Sequence, residues 1–97
     1  MEGTTITRRD EGGARGEYIA AVPGSDSVGR LTYARRGDLL VVDHTLVPPE
    51  IGGRGVAAKL VEALVADARK DGTRIVPQCT YVAVAFRRHP EWSDLRA

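Results

Sequence analysis

The hydrophobic period changes once along this chain of 97 residues, and the place of that change constrains the fold more than any other feature. Up to Val47, apolar residues come in short runs with strand-like spacing, separated by glycine- and proline-bearing turns. From Ala57 they recur at three- and four-residue intervals, the spacing of one helix face. Between the two halves stand Pro48-Pro49, which cannot continue a strand ladder, and Gly52-Gly53-Arg54-Gly55. A strand-rich half that feeds a helix through a glycine loop excludes all-helical and all-β folds.

In the first half, Thr4 to Arg9 predicts a short opening strand, followed by a turn at Asp10-Glu11-Gly12-Gly13. Gly16 to Val22 predicts a second strand, stopped by Pro23-Gly24-Ser25-Asp26. Val28 to Ala34 alternates, with Leu31 and Tyr33 on one parity and Arg30 and Thr32 on the other. Arg36-Gly37-Asp38 turns the chain into Leu39 to Val47, whose start is apolar on both parities, as in a strand covered on both faces. In the second half, Leu60, Val61, Leu64, Val65 and Ala68 make the apolar face of a helix that Gly72 ends. Thr73 to Pro77 suits a fifth strand. A shorter helix from Thr80 or Tyr81 through Arg88 stops before Pro90. The expected order, β-β-β-β-α-β-α, describes one α+β domain over residues 1–97 with a mixed, mostly antiparallel sheet.

Composition narrows the function classes. Net charge is +1, the pI is about 7.9 and the basic residues are scattered, so no nucleic-acid partner is expected. The single cysteine, Cys79, cannot close an internal disulfide, and no His/Cys cluster has metal-ligand spacing. No apolar run approaches the ~20 residues that cross a bilayer. The opening Met1-Glu2-Gly3-Thr4-Thr5 lacks the basic and apolar regions of a signal peptide. A reduced, cytoplasmic protein is the expectation, with its oligomeric state open.

The glycine loop carries chemistry because of where it lies. Glycines let backbone approach an anion without an intervening Cβ. The first turn of the following helix offers unpaired N–H groups at the positive end of its dipole. A diphosphate suits that arrangement; a plain turn between strand and helix is the other reading. The loop lacks the Gly-Lys-Ser/Thr ending of a P-loop, and it does not match GxGxxG.

The stretch from Val47 to Ala57 resembles motif A of the GNAT acetyltransferase superfamily, written Arg/Gln-x-x-Gly-x-Gly/Ala. Gly55 and Ala57 take the small-residue positions, and Gly52 stands where the family has Arg or Gln. The segments His44 to Glu50, Gly53 to Val61, Val76 to Val82 and Arg87 to Trp92 extend the likeness to the small stand-alone members of that group. It is close over residues 39–95, while residues 4–38 offer a compatible strand pattern. The resemblance implies a minimal GNAT-like fold with splayed parallel strands, Leu39–Val47 and Arg74–Pro77, that hold acetyl-CoA or CoA between them. It further implies main-chain pairing of the pantetheine near Leu46 and Val47, and a diphosphate on the amides of Gly52, Gly53, Arg54, Gly55, Val56, Ala57 and Ala58.

Acetyl transfer to an amine needs a base for the amine, a donor to the oxyanion and an acid for the leaving thiolate. Where many GNATs carry a tyrosine acid on the last helix, this chain has Arg87, which could steady a thiolate or phosphate but gives up no proton. Cys79, just past the fifth strand, could be the acid or a transient acetyl carrier, or a small buried hydrophobe. His44 shares parity with Leu40, Val42 and Leu46; it could be a base or a hydrogen-bonded core histidine. Tyr81 could be an acid or a half-buried aromatic at a helix start, and Trp92 reads as packing back on the sheet. Three functions remain: an N-acetyltransferase for an unidentified amine, a non-catalytic CoA- or acyl-CoA-binding module, and an interaction protein that keeps the fold. CoA binding separates the third from the others, and turnover separates the first from the second.

Overall fold

A computed structural model describes residues 3–97; Met1 and Glu2, on which part of the N-terminal reading rests, lie outside the described residues. The elements are β1 (Thr5–Glu11), β2 (Arg15–Ala21), β3 (Val28–Arg36), β4 (Leu39–Leu46), α1 (Val56–Asp71), β5 (Arg74–Pro77) and α2 (Thr80–Arg88). Short 3-10 turns occupy Pro49–Ile51 and Pro90–Leu95. This is the expected α+β order, and the sheet runs β1-β2-β3-β4-β5, antiparallel except for the parallel β4–β5 pair.

The strand limits differ from expectation in one instructive way. Asp10 and Glu11 continue β1 instead of turning, because Gly12 and Gly13 at φ 65° and 79° make the reversal with Ala14. Only glycine takes two successive left-handed positions without strain. Asp10 thereby stays on the sheet, where it can meet Tyr33.

One sheet face carries the core. Tyr18 and Ala20 of β2, Leu31 and Tyr33 of β3, Leu40 and Val42 of β4 and Ile75 of β5 are buried. They join Val56, Leu60, Val61, Leu64, Val65 and Ala68 of α1, Val82 and Phe86 of α2, and Leu95 in one cluster. Both helices therefore lie on the same side. Gly29 allows the close approach of α1, since a Cβ there would stand 2.9 Å from Val56 Cγ1. The opposite face, with Arg9, Glu17, Ile19, Arg30, Thr32 and Val41, has no buried residue. The both-parity apolar start of β4 suggested cover on two faces. Instead Val41 is half-buried beside Ala34 and Val76 of the neighbouring strands. Trp92 packs edge-on against Phe86 and stacks on His89 at 4.0 Å, so it closes on α2 and not on the sheet.

A polar clamp fastens the C-terminal half of α1. Arg8 lies 5.5 Å from the centres of both the Tyr18 and Tyr33 rings and reaches Asp67 at 3.3 Å and Asp71 at 3.4 Å. The Tyr18 hydroxyl donates to Asp67 at 2.8 Å, and the Tyr33 hydroxyl donates to Asp10. Burial would lower the pKa of Arg8, yet the tyrosine and aspartate partners outweigh it and raise the value. No described helix is long and apolar enough to cross a membrane.

Candidate functional site

The candidate site lies where β4 and β5 part. Their parallel pairing covers Leu39 to Val42 against Arg74 to Pro77 and then stops. The N–H groups of Gln78 and Cys79 both donate to the Val42 carbonyl at 3.0 Å, which pins the fork at that residue. From His44 to Leu46, β4 is again paired with β3, but from Asp43 onward it has no strand partner on the β5 side. Pro77 helps end the pairing, since it brings no N–H to a ladder. The result is a notch with one exposed strand edge, and Leu46, 64% exposed, stands at its end.

A β-bulge sits at the fork. Tyr33 faces Val42 and Thr32 faces His44, so Asp43 is an extra residue in β4. The bulge reverses the parity read from the sequence. His44 does not share a face with Leu40 and Val42; it is exposed, opposite Thr32 on the uncovered side of the sheet. Thr45 takes the inner position, opposite the buried Leu31. Asp43 is tied down by the Thr32 hydroxyl at 2.6 Å and by Arg15 at 3.3 Å. Burial raises its pKa, but those two hydrogen bonds prevail and hold the carboxyl below its usual value.

Cys79 is the N-cap residue of α2 and is partly buried against the core. Its Sγ lies 3.5 Å from the Thr45 hydroxyl. Burial alone would push the thiol up; the Thr45 hydroxyl and the backbone N–H groups of Val82 and Tyr81 more than offset it and bring the pKa below its ordinary value. Cys79 and His44 thus stand on opposite sides of the opened strand, joined through Thr45.

The glycine loop follows a buried anchor. Ile51, fully buried in the 3-10 turn, holds the chain before Gly52. Gly53 at φ 77° and Gly55 at φ 71° are left-handed, and a Cβ on either would meet nothing within 4 Å. Gly55 is the N-cap of α1 and supplies no side chain, so the first amides of that helix stay uncapped. Val56 contributes only its N–H, because its side chain is in the core. Gly52 is extended at φ −68° with room for a Cβ 3.4 Å from the Pro49 carbonyl oxygen, so its backbone does not require glycine. Gly52, Gly53, Arg54 and Ala58 are exposed, Ala57 is half-buried, and Val47 packs on the core. An absent side chain at three points of this loop leaves a cradle of backbone that fits a diphosphate.

Next to the loop, α1 and α2 enclose a groove of about 190 Å³. Ala58 and Glu62 line one wall, Tyr81, Ala85 and Arg88 the other, and His89 and Trp92 close the end. Arg87 is exposed and does not line it. The comparison with the tyrosine of the last helix points to Arg87 and passes over Arg88, although Tyr81, Ala85 and Arg88 recur at helical spacing.

The family description that matches the chain is GCN5-related N-acetyl-transferase, over residues 17–95. The match begins in β2 and ends at the last buried core residue, Leu95, so it takes in the notch, the glycine loop and both helices.

Proposed function

Because the chain belongs to the GCN5-related N-acetyltransferase family, we propose that it transfers the acetyl group of acetyl-CoA to an amine, with the reaction taking place in the notch between β4 and β5. The observation that carries this reading is the conjunction of an unpaired β4 edge with an uncapped, glycine-led helix N-terminus beside it. The edge suits the amide-bearing pantetheine as an added strand, and the cradle of Gly52 to Ala58 suits the diphosphate. Arg88 and the groove behind Ala58 suit the nucleotide end better than Arg87 does.

Acetyl-CoA supplies the activated thioester carbonyl when bound. The chain's residues then divide the proton work between the two sides of β4. His44, exposed on the uncovered sheet face, takes the proton from the incoming amine. Cys79, on the helix side, gives its thiol proton to the departing sulfur as the carbon–sulfur bond breaks, and recovers a proton from solvent afterwards. Acceptor and cofactor thus approach from opposite sides of one strand, which keeps them from competing for space.

Calorimetric titration with CoA and acetyl-CoA tests the binding half, and release of free CoA thiol in the presence of amines tests the chemistry. His44→Gln is expected to cut turnover by about 10²-fold, the scale of one acid–base group, and to leave CoA affinity unchanged. Normal turnover in a variant that merely melts earlier would assign His44 a structural role. Absence of CoA binding to the folded chain would defeat the proposal altogether.

A further inference from the structure

Thr45 is assigned no role by the motifs of the chain, yet the fold goes to some length to aim it. Without the extra residue at Asp43, the strand register would set His44 opposite Leu31 and turn Thr45 to the uncovered face. With it, Thr45 is opposite Leu31 and its hydroxyl reaches Cys79 Sγ at 3.5 Å. The bulge is held from the other side by Thr32 and Arg15 on Asp43. Cys79 is fixed independently, by its N–H on the Val42 carbonyl and its place at the start of α2. Two separately anchored elements therefore bring one hydroxyl to one thiol.

A threonine hydroxyl is both donor and acceptor. Towards a thiol, Oγ1 accepts from S–H. Towards a thiolate, the hydroxyl rotates and donates, and a hydrogen bond to an ionised acceptor is about twice as strong as one to a neutral group. The same contact thus orients the thiol before it gives up its proton and stabilises the charge afterwards. The charged and titratable groups of the surrounding elements are poorly placed for this. Asp43 is engaged with Thr32 and Arg15, and His44 lies on the other side of β4. Arg87 and Arg88 stand at the far end of α2, and Tyr81 turns to the α1 groove. Arg74, on β5, reaches the carbonyl of Arg96.

We infer that Thr45 is a positioning residue: turned inward by the Asp43 bulge, it orients the Cys79 thiol at the fork and stabilises the thiolate that proton transfer leaves. The inference rests on the reading in which Cys79 takes part in acetyl transfer, but its test does not require turnover. Cys79 is the only cysteine, so the rate of alkylation by iodoacetamide reports its thiolate alone. Measured against pH on the full chain, Thr45→Val should displace the midpoint upward and slow alkylation near neutral pH by about tenfold. Thr45→Ser, which keeps the hydroxyl, should follow the unmodified protein. Thr45→Ala serves where the valine variant does not fold, and melting temperature is recorded for each. An unchanged profile in a folded Val or Ala variant overturns the inference, as does a serine variant that titrates like valine. Normal turnover in Cys79→Ala, beside an alkylation shift in Thr45→Val, would instead sink the catalytic reading of Cys79 while the positioning by Thr45 stands.

Discussion

The two ends of α1 are held by opposite means. At its C-terminal end, Asp67 and Asp71 are engaged by Arg8 and Tyr18, and the cap at Gly72 closes on the Ala68 carbonyl. At its N-terminal end, Val56 and Leu60 press against β3 over Gly29, while Gly55 offers the helix amides no side-chain partner. Apolar contact fixes the position and leaves the hydrogen-bonding capacity unspent. One helix thereby separates two demands: its far end secures the fold, and its near end keeps open the amides on which the proposed function sets a diphosphate. Stability and binding should respond to substitutions at different ends.

The largest effect is expected at the notch. Cys79→Ala should reduce turnover by about 10²-fold or more, the scale of one acid–base group, with CoA affinity and melting temperature little changed. Activity per folded molecule, measured beside thermal unfolding, decides it: full activity would leave Cys79 as packing. Next comes the clamp. Arg8→Met removes the cation shared by Asp10, Asp67 and Asp71 and should cost about 2 kcal/mol of unfolding free energy, while CoA titrates as before. Loss of CoA binding in that folded variant would erase the distinction between the two ends.

Gly55→Val tests the near end. It should weaken CoA binding at least tenfold, about 1.4 kcal/mol, and also cost about 1–2 kcal/mol of stability because a β-branched residue resists the left-handed backbone. Unchanged affinity in the folded fraction would remove the loop from the site. The smallest effect is a gain. Gly52→Arg supplies the side chain that the family carries there, on a backbone that accepts it. It should tighten CoA binding by a few-fold, within about 1 kcal/mol, and more at low salt than at high. A loss of affinity would show that Gly52 is needed as glycine.

The sequence made the fold legible because most of its elements announce themselves locally. Leu60 to Ala68 states its helical period, Gly72 its end, and Pro48-Pro49 the end of β4. The glycine cradle was legible for the same reason, since backbone freedom is a property of residue type. What could not be read were consequences of pairing. A bulge belongs to two strands, so the inward turn of Thr45 and the outward turn of His44 follow only once β3 is laid beside β4. The clamp was hidden likewise: Arg8 and Asp71 are far apart in the chain, and neither residue type signals a partner. Arg87 and Arg88 differ by one helical step, and only the position of α1 decides which of them faces a groove.

The sheet lists its strands in the order in which the chain makes them, and that has a kinetic meaning. Each of the first four strands meets its neighbour through a hairpin, a microsecond-scale event with little loop entropy. Only the joining of β5 to β4 must wait for α1 to form and cross over. On a ribosome, the four-strand meander can assemble while the rest is still being synthesised. The notch between β4 and β5 is then the last part of the molecule to come into being. A seam that closes last and is held by four residue pairs is also the place where the native state should open first, well below the free energy of global unfolding. Hydrogen exchange at the amides of Gln78 and Cys79 would report that opening directly.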